Sequence, residues 1–398
     1  MINRSYYTLF SALCAFFGFV CFIYSSPVIP EIESLEISEV SFQSEKNLPY
    51  LSKHYLSTKP VKHEDGIKLG DLMQESSKPE AILKIVDSFV ATQEGIKAGK
   101  TDSFLVAKGG KLLLESYFRK GRINYPHYQM SITKSYTTLA LGRAMQLGYL
   151  SMKELNKPIH QFLKDVEVDQ FAKGASSITL HDALCMTSGI RIPKDRANAR
   201  YIIKNALKGQ GHAQAIFEIT EAVDSTKGQY KYQSADTALV MQVIESVVPG
   251  GAEKFIREEL FAPLGIDFYV WQEDLSGLPK AAAGSSLRSR DMLKVGQLVL
   301  NQGRWKGEQF IPADFIDRAT SPLVKTKGNA HYGYFWWYES YEVSGKTYLS
   351  KQGRGAGGQF IIILPGIDVV AVITSHNKGM GGMLNQVCTA LITAFSKQ

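Results

Sequence analysis

The placement of strand-like and helix-like segments along the chain limits its fold more than any other feature. Runs of aromatic and β-branched residues, which are typical of strands, stand near both ends of the sequence, at residues 104–107, 112–118, 332–338, 347–350, 359–364 and 369–375. The part between them, up to about residue 280, is chiefly helix and loop. We therefore predict an α/β (α+β) body with a helical lobe inserted at about residues 135–280.

Shorter signals add detail to this body. Apolar residues recur at helical spacing from 80 to 95, and the pair Gly109-Gly110 predicts the turn of a hairpin. Residues 383–395 predict an apolar helix that closes the chain. No segmental repeat and no linker interrupts residues 76–398, so we expect one folded domain over that range.

The N-terminal segment, residues 1–26, predicts export. Arg4 is followed by an uncharged stretch up to Pro30 with a strongly apolar centre. No clear cleavage site follows, so an uncleaved membrane anchor is favoured over a cleaved signal, and we expect a periplasmic or membrane-anchored protein. Residues 27–75 carry spaced glutamates and then basic polar sequence, which indicates a polar tether or an arm that wraps the domain.

Composition and charge exclude several classes of protein. With 44% hydrophobic and 21% charged residues among 398, the chain has the composition of an ordinary globular protein. The net charge of +7 is spread as singles and pairs, so we do not expect nucleic acid as a partner. The eight histidines are dispersed without metal-ligand spacing, and we expect no metal and no cofactor. Cys185 and Cys388 lie on apolar stretches and predict buried free thiols.

Ser131 and Lys134 form the first motif that could carry chemistry. On a helix that begins near Ser131, positions i and i+3 share a face, so the hydroxyl and the amine can come within hydrogen-bonding distance. A lysine acts as a base only where burial or neighbours lower its pKa, and the start of an apolar helix suits this. The alternative is a capping serine followed by a solvated lysine, because Ser-x-x-Lys matches arise by chance.

Several segments around this motif resemble one known family. They are, in chain order, residues 128–138, residues 179–190 ending in Thr-Ser-Gly-Ile, residues 284–303 and the aromatic stretch 332–337. They resemble the serine beta-lactamase-related superfamily, which includes class C beta-lactamases, D-alanyl-D-alanine carboxypeptidases, esterases and 6-aminohexanoate-dimer hydrolases. The resemblance extends from about residue 90 to the C-terminus and implies a beta-lactamase/transpeptidase-like fold, with an antiparallel sheet flanked by helices. It also implies that Ser131 is the nucleophile and Lys134 the base or proton shuttle.

The family's second motif, Tyr-x-Asn, is similar to Tyr232-Gln233-Ser234 in this chain. By this resemblance Tyr232 is a catalytic residue, since a phenol near a lysine ammonium loses its proton more readily and can exchange protons with the serine or the leaving group. Without the resemblance, the Tyr-x-Tyr alternation would indicate only the edge of a strand. Ser234 stands where the family has asparagine, which is closer to the esterase and 6-aminohexanoate-dimer hydrolase branch.

The third motif of the family, Lys-Thr-Gly or His-x-Gly, aligns with Gly353-Arg354-Gly355, so its cationic first position is lost. Lys351 and Arg354 are near enough in sequence to supply charge, but neither is in register. The small residues from Gly355 onward would let a substrate carbonyl approach, where the backbone N–H of Ala356, with that of the nucleophile, could form an oxyanion hole. A glycine-rich turn before a buried strand is the alternative interpretation.

Other arrangements for a serine hydrolase have less support. No Gly-x-Ser-x-Gly occurs, and nothing orders His181, His331 or His376 into a Ser-His-Asp triad. His376, at the end of an apolar strand, indicates a structural histidine.

Three functions remain open. The leading hypothesis is a serine hydrolase that forms an acyl-enzyme on an ester or amide, like a carboxylesterase or a 6-aminohexanoate-dimer hydrolase. The first alternative is a beta-lactamase or D-alanyl-D-alanine carboxypeptidase. The second is a membrane-tethered, catalytically inactive protein that binds penicillin or peptidoglycan. The expected partners are therefore a small ester, amide or lactam and, through the N-terminal segment, a membrane.

Overall fold

The computed structural model describes residues 28–91, 101–201, 203–377 and 381–396. Its strands are Tyr55–Ser57 (β1), Lys68–Leu69 (β2), Thr101–Lys108 (β3), Lys111–Tyr117 (β4), His127–Tyr128 (β5), Val270–Trp271 (β6), Ser285–Leu287 (β7), Arg304–Trp305 (β8), Glu308–Gln309 (β9), Val324–Lys325 (β10), His331–Tyr332 (β11), Trp337–Val343 (β12), Lys346–Gly355 (β13), Gln359–Leu364 (β14) and Val369–Ser375 (β15).

Its α-helices are Phe42–Asn47 (α1), Leu72–Glu75 (α2), Pro79–Ala91 (α3), Thr133–Gln146 (α4), Leu180–Leu184 (α5), Lys194–Tyr201 (α6), Gly211–Ile219 (α7), Ser234–Val247 (α8), Ala252–Phe255 (α9), Ser289–Leu300 (α10), Ala313–Ala319 (α11) and Gly381–Phe395 (α12). The predicted export segment, residues 1–26, lies outside the described residues, as do residues 92–95 of the helix predicted from the apolar spacing.

The main sheet joins strands from the two ends of the chain. Its order is β1-β4-β3-β15-β14-β13-β12-β11-β10, with β2 added beside β4. Neighbouring strands along this path are antiparallel, and only the short β2–β4 pair is parallel. The N-terminal hairpin β3–β4 meets the C-terminal strands at β15. The predicted antiparallel sheet built from both chain ends is therefore confirmed.

The central part of the main sheet is apolar on both faces. Successive side chains of a strand point to opposite sides of the sheet, so each central strand contributes to both faces. Leu105 and its partner Val372 belong to one core, whereas the next pair, Phe104 and Ile373, belongs to the other. The second core is covered by α3 and α12. The first core is covered by α4, α10 and the helical lobe, so the helix that follows Ser131 packs on this face.

The chain between β11 and β12 differs from the sequence prediction. A single strand over residues 332–338 is wrong, because β11 ends at Tyr332 and β12 begins at Trp337. Phe335 has φ +61°, and the Gly333 N–H donates to the Trp336 carbonyl over 2.9 Å, which closes a tight turn. The turn buries Trp336 completely, so this aromatic stretch serves the core without adding a continuous strand.

Residues 28–75 lie against the domain. Within this arm, Tyr55 pairs with Tyr117 across β1 and β4, and Lys68 pairs with Lys111 across β2 and β4. The Asp65 carboxylate also binds the guanidinium of a buried arginine on α10 over 2.7 Å. β-pairing and buried side chains thus attach this arm to the sheet.

Within the described parts of the chain, no helix is both long enough and apolar enough to cross a membrane. Cys185 and Cys388 are buried free thiols, as predicted.

Candidate active site

Ser131 lies in a tight turn at the start of α4. The turn is the 3-10 segment Met130–Ile132, and Met130 has φ +50°, in the left-handed region that is unfavourable for a side chain with a Cβ. The fully buried Gln129 holds the turn from behind, because its N–H donates to the Ser285 carbonyl over 2.8 Å. The hydroxyl of Ser131 is thus fixed at the end of the helix, with its residue only partly buried.

Lys134 reaches back along the same helix to Ser131. Its Nζ donates to Ser131 Oγ over 3.0 Å and to the Ala282 carbonyl over 2.5 Å, and only 3% of the residue is exposed. Burial lowers the pKa of Lys134 from 10.5 to about 7, because an ammonium loses its hydration there. The interpretation of Lys134 as a solvated lysine is therefore wrong.

The Thr-Ser-Gly segment positions Tyr232. The N–H of Gly228 donates to the Thr187 carbonyl over 2.8 Å, and the N–H of Lys231 donates to the Met186 carbonyl over 2.9 Å. These two hydrogen bonds tie the loop before α8 to the turn after α5. Tyr232 follows directly and comes next to the start of α4.

The Tyr232 side chain closes one side of this cluster. Its ring centroid lies 4.7 Å from Lys134 Nζ, and its ring also packs on Tyr332 and Trp337 at 6.0 and 5.9 Å. Burial raises the pKa of its phenol, and a hydrogen bond with Ser131 acts in the opposite direction. Although 40% of the residue is exposed, the hydroxyl is at the enclosed end, beside Ser131. The structure thus brings Ser131, Lys134 and Tyr232 together.

Strand β13 runs close beside this turn. A Cβ added to Gly353 would lie 3.5 Å from both Ile132 Cγ2 and Ser135 Oγ, which is ordinary contact. A Cβ added to Gly355 would come within 2.3 Å of the Gln129 carbonyl oxygen, which leaves no room for a side chain. The region aligned with the third motif therefore borders the Ser131 turn, and Gly355 is required by the close approach of two backbones. Ala356 follows in the exposed turn between β13 and β14.

The two cations near the third motif do not pair with the Ser131 cluster among the described residues. The Arg354 guanidinium lies 2.5 Å from the Glu339 carboxylate and 5.0 Å from the ring centroid of Trp337. Burial lowers the pKa of Lys351, and the carboxylate of Asp317 acts in the opposite direction. Neither side chain makes a hydrogen bond or ion pair with the Ser131 cluster among the described residues.

A cavity of about 620 Å³ adjoins the cluster. Ser234, an exposed residue at the first turn of α8, lines it together with Ala282, whose carbonyl binds Lys134. Apolar side chains of α6 and α7 cover part of the wall. Ser131, Lys134 and Tyr232 do not line the cavity themselves, so the cavity lies beside this cluster.

Two parts of the site were not found from the sequence. The sequence gives no indication of the Ala282 carbonyl, because every residue has a backbone carbonyl. Asp236 is completely buried, and its Oδ2 accepts from Gln233 Nε2 over 3.0 Å, while burial raises its pKa to about 7. In the sequence, Asp236 could be noticed only as an acidic residue in the first turn of a helix. That helix begins two residues after Tyr232.

The histidines serve other contacts. His181 Nδ1 lies 2.7 Å from the Tyr334 hydroxyl, and His376 Nδ1 lies 2.6 Å from Asp102 Oδ2. The ring of His331 packs edge-on against Tyr338. None of them contacts Ser131 in the part of the chain that the structure describes, which gives no support to a Ser-His-Asp triad.

Sequence and fold together define the class of this protein. Residues 86–385 match the family model described as Beta-lactamase, which is well over half of the chain, so the protein belongs to the beta-lactamase family. This is a family of serine hydrolases, and the chain has its mixed fold with an antiparallel sheet.

The individual relatives are distant. The 6-aminohexanoate-dimer hydrolase of Paenarthrobacter ureafaciens is 23% identical over 241 residues, which covers 54% of this chain and 56% of that protein. The chain thus spans about half the length of the curated relative that it matches.

Two solved structures share the fold. EstCE1, a hydrolase with promiscuous acyltransferase activity, has a TM-score of 0.61 at 14% identity and covers 78% of this chain and 98% of its own. The octameric penicillin-binding protein homologue from Pyrococcus abyssi has a TM-score of 0.58 at 17% identity. The match covers 79% of this chain and 77% of that one. At such identities the likeness concerns the fold alone.

Proposed function

We propose that this protein is a serine hydrolase in which Ser131 is acylated by an ester or amide substrate, with Lys134 and Tyr232 moving the protons. The observation that carries the proposal is the 3.0 Å contact between Lys134 Nζ and Ser131 Oγ, combined with a lysine pKa of about 7. At neutral pH a large fraction of such an amine is uncharged and has a lone pair for the serine proton.

The acylation step follows from these positions. Ser131 Oγ bonds to the substrate carbonyl carbon while its proton passes to Lys134 Nζ, and the C=O π electrons move to the oxygen. The N–H groups of Ser131 and Ala356 would receive that oxyanion. No acceptor for the Ala356 N–H occurs among the described residues, which leaves it free to donate.

Collapse of the intermediate completes the cycle. The C=O bond re-forms, the C–O or C–N bond to the leaving group breaks, and the leaving group takes a proton from Tyr232 or from the Lys134 ammonium. Water then adds to the acyl-enzyme with the same groups as base and acid, which returns Ser131 to its starting state and releases the acid.

The nucleophile is tested by substitution and labelling. Ser131→Ala should abolish turnover and block labelling by a fluorophosphonate probe, because both need the hydroxyl, while the small volume change leaves the fold intact. Ser88→Ala is the matched control, since among the described residues its hydroxyl donates to the Ile85 carbonyl alone, on the surface of α3. Turnover or labelling retained by purified Ser131→Ala would contradict the assignment. A wild-type chain that takes no probe would favour the catalytically inactive binder instead.

Esters are the substrates that this site supports best. A lactam or carboxypeptidase substrate presents a carboxylate, yet Gly353 stands at the position where the family has a cation, and Arg354 is paired with Glu339. Ser234 also replaces an amide with a shorter hydroxyl that has less reach. Esters need less help because an alkoxide or phenoxide leaves without the protonation that an amide nitrogen requires.

We expect short-chain ester hydrolysis to exceed cephalosporin hydrolysis in kcat/KM by at least about 100-fold, which is about 2.7 kcal/mol of transition-state discrimination. The measurement compares nitrophenyl esters, a chromogenic cephalosporin and a linear amide dimer on one preparation, with Ser131→Ala as the blank. Cephalosporin turnover as fast as ester turnover would favour the beta-lactamase alternative and leave the nucleophile untouched.

A further inference from the structure

Three ionisable side chains from distant parts of the sequence meet outside the proposed active site. Glu45 lies on α1 of the arm, His127 is the first residue of β5, and His376 follows β15. One donor atom from each residue lies within 4.8 Å of the other two. The Glu45 and His127 side chains are 2% and 9% exposed, whereas that of His376 is 25% exposed.

The contacts within this group converge on the buried carboxylate of Glu45. Glu45 Oε2 accepts from the Tyr128 N–H over 3.1 Å. Its other oxygen, Oε1, is in ion-pair contact with His127 Nδ1 and lies 3.8 Å from His376 Nε2. Burying a carboxylate is costly unless hydrogen bonds, an opposite charge or a metal compensate it.

The fourth member of the group, Asp102, fixes one histidine ring. Its Oδ2 lies 2.6 Å from His376 Nδ1, so Nδ1 carries the proton and donates it to the carboxylate. The other ring nitrogen, Nε2, is then unprotonated on the side of Glu45. A carboxylate that orients a histidine in this way is the usual outer partner of a metal-binding histidine.

The Glu45–His376 pair is spaced nearly as two ligands of one tetrahedral ion would be, whereas Glu45 and His127 are in direct ion-pair contact and would have to separate to bind an ion. Two ligands bound to Zn²⁺ at 2.0–2.1 Å lie about 3.3 Å apart. The 3.8 Å between Glu45 Oε1 and His376 Nε2 is about half an ångström longer than that value. Two imidazoles and one carboxylate are a ligand set that zinc uses, and the partly exposed side of His376 leaves an entry for the ion and for a water as fourth ligand.

We propose that Glu45, His127 and His376 bind one Zn²⁺ or a similar divalent transition-metal ion, with Asp102 as a positioning residue. The ion joins the arm to the domain, because one ligand lies on α1 and the other two lie beside the main sheet. The site is independent of the hydrolytic chemistry proposed above, so its test does not use activity.

Metal content is the first measurement. The full-length protein, freed of any affinity tag, should contain about one zinc per chain when measured by inductively coupled plasma mass spectrometry. Glu45→Gln, His127→Gln and His376→Gln should each lose it, whereas Glu33→Gln and His331→Gln, outside the group, should keep it. Equal zinc in all five variants would overturn the proposal.

A second measurement covers variants that fold poorly. Wild-type protein stripped by a chelator should regain at least about 3 °C in Tm on addition of zinc, while His376→Gln should not. Asp102→Asn should weaken zinc binding by about 10–100-fold and alter the visible spectrum of the Co²⁺-substituted protein. A stripped wild-type chain that binds neither zinc nor cobalt and shows no shift in Tm would overturn the proposal and leave these residues as a metal-free charge network.

Discussion

At the scale of single residues, burial without a counter-ion sets the charge state of Lys134. It contacts Ser131 and the Ala282 carbonyl and has no carboxylate partner among the described residues. Holding its pKa near 7 instead of 10.5 disfavours the ammonium by about 5 kcal/mol. Because a salt bridge would restore the charge and remove the basicity, the absence of a nearby carboxylate suits a general base.

The pH dependence of the reaction follows from this pKa. A base must be unprotonated, so kcat/KM for a short ester should rise with pH through about 7 and level off above it. The measurement is a series of initial rates from pH 5 to 9 in mixed buffers, corrected with Ser131→Ala. A flat profile, or a rise centred near 10, would mean that Lys134 is not the base.

At the scale of elements, the site depends on how closely β13 passes the turn before α4. A Cβ at Gly353 would just touch Ile132 and Ser135, and Gly355 faces the Gln129 carbonyl without space for a Cβ. The strand and the turn therefore constrain each other's position. Small shifts between these two elements should affect the reaction more than they affect the fold.

Gly355→Ala tests this arrangement. The new Cβ would meet the Gln129 carbonyl at 2.3 Å, so the strand and the turn must move apart. We expect kcat/KM to fall by at least about 100-fold, because misplacement by about 1 Å is enough for such a loss, and the free energy of unfolding to fall by about 1–3 kcal/mol. Gly366→Ala is the matched control, since a Cβ there meets no atom within 4 Å. Unchanged kinetics in Gly355→Ala would show that the close approach does not matter.

At the scale of the whole molecule, the arm completes the sheet and part of the core. Tyr55, Leu56 and Leu72 are buried, and strand β1 covers the edge of β4. The arm also brings Asp65 to Arg290, which binds Glu115 on the other side. An arm with these contacts stabilises the domain.

Removal of the arm should therefore destabilise the protein. Burial of three large side chains contributes roughly 5 kcal/mol or more, so a chain that starts at residue 76 should have a Tm at least about 5 °C below that of a chain that starts at residue 28. Thermal unfolding followed by circular dichroism, with both chains at the same concentration, measures the difference. Equal Tm values would mean that the arm is attached without contributing stability.

Local sequence determined much of this protein. The strands at 359–364 and 369–375 and the hairpin at Gly109-Gly110 agree with their predictions, because alternation and turn chemistry act within a few residues. The Ser131–Lys134 contact was predicted for the same reason, since it needs only one turn of helix. The prediction of one strand over residues 332–338 is wrong because a turn with a positive φ at Phe335 interrupts it. Residue type alone does not reveal that backbone angle.

Tertiary structure decided the rest. Tyr232 lies about 100 residues after Lys134 in the sequence, and the superfamily resemblance suggested that the two are close. The Ala282 carbonyl, which accepts from Lys134, lies about 150 residues away, and nothing in the sequence suggested this contact. Glu45, His127 and His376 have no metal-ligand spacing in the sequence, yet the arm, β5 and the end of β15 bring them together. Contacts between residues so distant in sequence depend on how whole helices and strands pack. That packing is set by the sum of many apolar contacts, and no short stretch of sequence contains this information.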